Sequence, residues 1–198
     1  MNGINPTLLK EFDQAYFENY GPEKSNYSQV WQKNSFLPTA IQQIGSHFTG
    51  MKSLLILGSA TGEPMEFANM NGFSTSGIEV SSWACSKLSS KLKNRVHYGH
   101  VAELLPRLAL QGQYWDVIFS SCLQFLSESE IRTVLRSAKS ICKVFCHYGG
   151  FKGQGDDELD LKLKTLQSYS WWKDLFREEG FELTETPYFW SPFTKTNS

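Results

Sequence analysis

No stretch of the sequence is long and apolar enough for a membrane span. The longest aliphatic run is Leu54 to Leu57, whereas a bilayer-crossing helix needs roughly 18 apolar residues, so no membrane partner is expected. Nor is there an excess of charge of one sign. Nineteen Lys and Arg stand against 20 Asp and Glu, a formal net charge of −1, which leaves no global electrostatic basis for gripping a phosphate backbone. A nucleic-acid partner is therefore not expected. Cysteine is sparse. Cys85, Cys122, Cys142 and Cys146 form no Cys-x-x-Cys pair, which argues against a zinc knuckle or a thioredoxin-like site and for buried free thiols. The start, Met1-Asn2-Gly3-Ile4-Asn5-Pro6, lacks the basic and apolar segments of a secretory signal, so a cytoplasmic location is expected. Internal repeats are absent.

What the chain does have is apolar and aromatic side chain. Its 198 residues are 40% hydrophobic and 14% aromatic, with 14 Phe and 6 Trp, enough for one substantial core and too short for two full domains. The first 50 residues read as helical. Asn5-Pro6 resembles an N-cap with proline in the first turn, followed by Leu8, Leu9, Phe12, Ala15 and Tyr16 at helical spacing. A second helical region, 27–44, is expected to be interrupted at Pro38, with Phe36, Leu37, Ile41 and Ile44 on its apolar face. Residues 1–50 are thus expected to form a helical cover, and 51–198 the core.

From residue 53 short apolar runs alternate with amphipathic stretches, the pattern of a parallel sheet flanked by helices. Strands are predicted at 53–57, 74–79, 95–98, 115–120, 141–147 and 181–186. Helices are predicted at 130–140 and 168–179, with Gly180 as a C-terminal cap. The expected architecture is α/β: a doubly wound, mostly parallel sheet with helices on both faces and ligands beyond the carboxyl ends of the strands.

Leu54-Leu55-Ile56-Leu57-Gly58-Ser59-Ala60-Thr61-Gly62-Glu63 is a strand running into a small-residue loop and then a helix with Pro64 in its first turn. Small side chains let a backbone approach a ligand, and the helix N-terminus supplies N–H groups and a positive dipole end. Glu79, seventeen residues after Gly62, stands at the end of the second predicted strand, where a carboxylate can accept from both hydroxyls of a ribose. The structural alternatives are a plain strand-to-helix turn and an acid favouring the next helix's dipole. A dinucleotide fingerprint would put its third glycine at Glu63, so a nicotinamide cofactor is disfavoured.

The form Gly58-x-Ala60-x-Gly62 resembles the first motif of the class I S-adenosylmethionine-dependent methyltransferases, usually Gly-x-Gly-x-Gly. Gly77-Ile78-Glu79-Val80-Ser81 is similar to that family's second-strand acid. Tyr114-Trp115-Asp116-Val117-Ile118-Phe119-Ser120 is similar to its fourth strand, and Trp171 to Phe181 to its penultimate helix and strand. The likeness spans roughly residues 50–190. It departs at three positions: Ile56 replaces a common acid, Ala60 the middle glycine, and His100 the acid after the third strand. The resemblance implies S-adenosylmethionine as cofactor and methyl transfer to an acceptor, a small molecule in the first instance, with a protein acceptor left open. Its cofactor-binding residues would be Gly58, Ser59, Ala60, Gly62, Glu79, Val80, His100, Val101 and Ser120.

Methyl transfer from a sulfonium is an in-line displacement whose leaving group needs no acid, so proximity and alignment supply much of the catalysis. A base matters only where the acceptor must lose a proton early. His147, before Tyr148-Gly149-Gly150, is the candidate, its alternative being a hydrogen-bonded strand-end histidine. Tyr20, Tyr27 and Tyr148 are candidates for the acceptor side. Tyr16, Phe17 and Trp31 join Tyr20 and Tyr27 in an aromatic cluster that equally suits helix packing. The acidic loop 153–158 reads as solvated, and no metal is assigned. Two readings from other classes stay open: a noncatalytic binding module that keeps the fold, and an NAD-dependent oxidoreductase.

Overall fold

The computed structural model describes residues 12–19, 26–27, 36–149, 151–152, 162–184 and 191–195. The chain divides into two compact units, Met1–Val101 and Ala102–Ser198.

In the first unit, α1 (Gln14–Glu18) is capped by Asp13, whose carboxylate accepts from the Tyr16 N–H. The next helix, α2 (Phe36–His47), begins two residues before Pro38. Pro38 therefore lies in the first turn, where a missing N–H costs nothing, and does not interrupt the helix as the sequence suggested. Then come β1 (Ser53–Leu57), α3 (Glu63–Met70), β2 (Ser74–Glu79), α4 (Ser82–Lys87), α5 (Ser90–Lys93) and β3 (Val96–Tyr98), leading into α6 (Val101–Leu110). The strands pair in parallel in the order β3-β2-β1, with Leu57 opposite Ile78 and Glu79 opposite Tyr98. Leu54 to Leu57 are fully buried, which is why β1 reads as a continuous apolar run.

The second unit holds β4 (Trp115–Ser120), a 3₁₀ turn (Leu123–Phe125), α7 (Glu128–Ile141), β5 (Cys142–His147), α8 (Tyr169–Glu178), β6 (Phe181–Leu183) and β7 (Ser191–Lys195). A capping box starts α7 two residues before the expected helix: Ser127 Oγ accepts from the Glu130 N–H, and Glu130 accepts from the Ser127 N–H. Along its first half and middle, α7 is tied to the end of α8. Glu179 accepts from Arg136 and Arg132 at 2.8–3.0 Å. Burial pushes its carboxyl up, but these two guanidinium groups outweigh burial and hold it below the usual range.

The strand order here is β4-β5-β7-β6. β4 and β5 are parallel, whereas β7 runs antiparallel to both β5 and β6. The sixth predicted strand is present as Phe181–Leu183, but it pairs with β7 alone among the described strands. Pro192 hid β7 from the sequence, because proline argues against a strand inside a sheet. Among the described residues no helix is long and apolar enough to cross a membrane.

Candidate functional site

The carboxyl ends of β1, β2 and β3 carry the glycine-rich loop, Glu79 and His100. Their geometry is set by hydrogen bonds. Gly58 and Ser59 donate their N–H groups to the Ile78 carbonyl, and Gly62 donates to the Ser59 carbonyl. The Glu79 side chain closes the arrangement: one carboxylate oxygen accepts from the Ala60 N–H at 2.7 Å and the other from the Ser81 N–H at 2.8 Å. Glu79 is 5% exposed. Burial raises its pKa, against the hydrogen bonds from the backbone N–H groups of Ser81, Ala60 and Val80. Ser81 in turn caps α4, its hydroxyl accepting from Ala84.

Ser59, Gly62 and Ala60 each have a distinct setting in the loop. Ser59, a candidate for cofactor contact, turns inward. A Cβ placed on Gly77 would lie 2.8 Å from both Ser59 Oγ and Met65 Sδ, so Gly77 is the space into which Ser59 and Met65 pack. Gly62 is glycine for a different reason from the expected ligand approach. Its φ is +100°, and an added Cβ would meet Leu92 Cδ1 at 2.8 Å and Leu88 Cδ2 at 2.9 Å, so the obstacle is the protein's own leucine wall. Ala60, by contrast, holds a left-handed backbone (φ 50°) despite its Cβ, a conformation its hydrogen bond to Glu79 helps to keep.

Above the loop, Phe17 packs with Ala60 and Ala84, and Phe12, Tyr16, Tyr27 and Trp83 pack around them. Phe17 stacks on Trp83 at 5.3 Å and 21°. Thus, of the aromatic cluster expected in the N-terminal helices, Tyr16, Phe17 and Tyr27 come together, joined by Phe12. Tyr20 and Trp31 lie outside the described residues. Trp83 and Lys87 were missed; the available signal was their spacing of one helical turn, beginning four residues after Glu79. His100 and Val101, both buried, follow β3 at the start of α6, and Val80 is half-buried after β2.

In the second unit Ser120 ends β4 and His147 ends β5 in register with it. Ser120 is buried. Its carbonyl accepts from the Tyr148 N–H at 2.9 Å and its hydroxyl from the Cys122 N–H. His147, the expected base, lies in the core. The imidazole is fully buried, its centroid 4.6 Å from that of Trp172, 5.7 Å from Phe151 and 6.1 Å from Phe176. Burial pushes its pKa down to about 3, with only the backbone of Ser120 and Gly149 opposing. Because β5 is buried on both faces, its last side chain enters an aromatic core, where imidazole stays neutral. The loop 153–158 lies outside the described residues. Among the described residues no three His, Cys, Asp or Glu side chains gather as metal ligands do.

No protein-family model matches the sequence, and no curated protein matches it significantly. Solved structures do match. Magnesium protoporphyrin IX methyltransferase from Synechocystis, with S-adenosylhomocysteine bound, superposes at a TM-score of 0.70 with 13% identity, over 96% of this chain and 99% of that one. The 1,6-didemethyltoxoflavin-N1-methyltransferase of Burkholderia thailandensis does so at 0.70 with 15% identity, over 97% and 88%. A sugar N-methyltransferase from Streptoalloteichus matches at 0.66 with 12% identity, over 86% and 92%. Parallel β-strands alternating with helices, the glycine-rich turn after β1 and the acid ending β2 agree with these likenesses: the chain has the doubly wound α/β fold of the class I S-adenosylmethionine-dependent methyltransferases.

Proposed function

We propose that the protein is an S-adenosylmethionine-dependent methyltransferase acting on a small-molecule acceptor, with residues 1–50 as a helical cover on a core of 51–198. One observation carries the reading: Glu79 and the loop after β1 are a single hydrogen-bonded unit at the carboxyl ends of adjacent parallel strands. The donor set fits the cofactor. The Glu79 carboxylate takes backbone N–H groups from Ala60 and Ser81, with Val80 beside them, and its two oxygens offer about four acceptor sites, so capacity remains for a ribose hydroxyl. When bound, S-adenosylmethionine supplies an electrophilic methyl group on a sulfonium.

In this reading the Gly58–Gly62 main chain sets the close approach, Glu79 orients the ribose, and Val80, His100 and Val101 border the adenine side. Tyr27 belongs to the acceptor side. With His147 packed in the core, this chain contributes proximity and alignment, and the acceptor's proton passes to solvent. The neighbours' names, which include magnesium protoporphyrin IX, 1,6-didemethyltoxoflavin and a sugar, support a small acceptor. A noncatalytic binding module is the second reading, favoured by the internal use of the Gly58, Ser59, Ala60 and Gly62 N–H groups.

Calorimetric titration with S-adenosylmethionine, S-adenosylhomocysteine and NAD separates these readings. Saturable binding of the first two is the expected result. Binding of NAD alone would move the protein to the oxidoreductases, and failure of all three would favour the noncatalytic module.

A further inference from the structure

A cavity of about 340 Å³ lies within the first unit, between α1, Tyr27, the start of α3 and α4. Its size suits a small organic molecule. Three aromatic rings form walls: Phe17 and Trp83, stacked at 5.3 Å, and Tyr27, edge-on to Phe17 at 5.5 Å. Of its charged lining groups, Glu18 and Glu63 outnumber Lys87. Lys87 also reports on the chemistry of the wall. Its Nζ rests 5.2 Å from the centroid of the Trp83 ring, so that ring already holds a cation by its electron-rich face.

We propose that this cavity binds a flat aromatic molecule bearing a protonated amine, the ring lying along Phe17, Trp83 and Tyr27 and the ammonium drawn by Glu18 and Glu63. The aromatic walls favour a planar apolar body, because burying flat rings against flat rings removes the most apolar surface from water. The two carboxylates decide the sign of its charge. A carboxylate on the same ring system would meet like charge from both, with only Lys87 to balance them. Lys87 competes with the ligand's ammonium in this arrangement, so removing its charge strengthens binding, whereas removing a carboxylate weakens it. Opposite effects of two substitutions in one cavity are not produced by general loss of structure. The cavity takes in Tyr27, placed above on the acceptor side, and Thr61 of the glycine-rich loop, so the proposal names the acceptor class of that reading, while its charge preference is measured without the cofactor.

The test is calorimetric titration of the whole protein with tryptamine and with indole-3-propionate, which share a ring system and differ in the sign of charge. Tryptamine is expected to bind saturably and at least about tenfold more tightly than indole-3-propionate. Glu63→Gln should weaken tryptamine binding about fivefold or more, and Lys87→Met, a change at an exposed side chain, should tighten it about twofold or more. Absence of tryptamine binding, equal or tighter binding of indole-3-propionate, or weakening by Lys87→Met would overturn the proposal. Titration of the same samples with S-adenosylhomocysteine keeps the two readings apart. Binding of S-adenosylhomocysteine without the amine preference overturns only this inference, and the amine preference without S-adenosylhomocysteine binding overturns only the methyltransferase reading.

Discussion

Glu79→Ala tests the hydrogen-bonded unit on which the site is built. The substitution deletes two acceptors, so the Ala60 and Ser81 N–H groups, now bonded at 2.7 and 2.8 Å, lose their partners in a buried setting. A hydrogen bond to a charged group contributes about 1.5–3 kcal/mol, so two amount to roughly 3–6 kcal/mol. Part of this is offset, because the carboxyl no longer suffers the burial that raises its pKa. A net destabilisation of about 2–4 kcal/mol is expected, or a fall in Tm of roughly 4–16 °C for a chain of this size. Glu79→Gln keeps one acceptor oxygen but turns an amide N–H₂ toward the other donor, and should fall about midway.

Urea denaturation followed by circular dichroism at neutral pH measures both variants. A change below about 0.5 kcal/mol for Glu79→Ala, the range of ordinary surface substitutions, would refute the claim that Glu79 braces the loop. The pH dependence supplies a second check with a definite sign. With the folded pKa raised above the ordinary 4.5, the folded state binds the proton more readily than the unfolded chain. The stability from that proton is fully present below about pH 4.5 and is lost as pH rises through the folded value. The advantage of wild type over Glu79→Gln should therefore shrink as pH rises through that window.

Two further predictions concern packing. Gly62→Ala must enter a left-handed backbone and push against Leu88 and Leu92; it should destabilise by about 2–4 kcal/mol, in thermal denaturation, and the double variant with Leu88→Ala should lose less than the sum of the two. His147, with its folded pKa pushed down to about 3 from 6.5, favours the folded state fully above pH 6.5 and progressively less as pH falls toward 3. The unfolding free energy should drop by about 1.4 kcal/mol per pH unit from this group, and His147→Phe should flatten that part of the profile; an unchanged slope would place the imidazole in water instead of the aromatic core.

The sequence alone determined the positions of the parallel strands. A strand buried on both faces reads as a near-continuous apolar run, which made Ser53–Leu57 and Trp115–Ser120 legible to the residue, while the more polar Ser74–Glu79 was placed by the alternation of short strands with helices. Local chemistry also marked the turn of small residues after β1, the acid ending β2 and the Gly180 cap, because each depends on neighbours in the chain. Tertiary structure decided the rest. Pro192 makes Ser191–Lys195 a poor strand by local propensity, yet β7 runs between β5 and β6, because pairing with partners distant in sequence outweighs it. Only packing showed that Gly62 yields to Leu88 and Leu92, that Ser59 turns toward Gly77, and that His147 enters an aromatic core. Likewise Phe17 meets Trp83 across 66 residues of chain. Such contacts depend on where the fold brings separate segments together, and no periodicity or spacing along the chain encodes them.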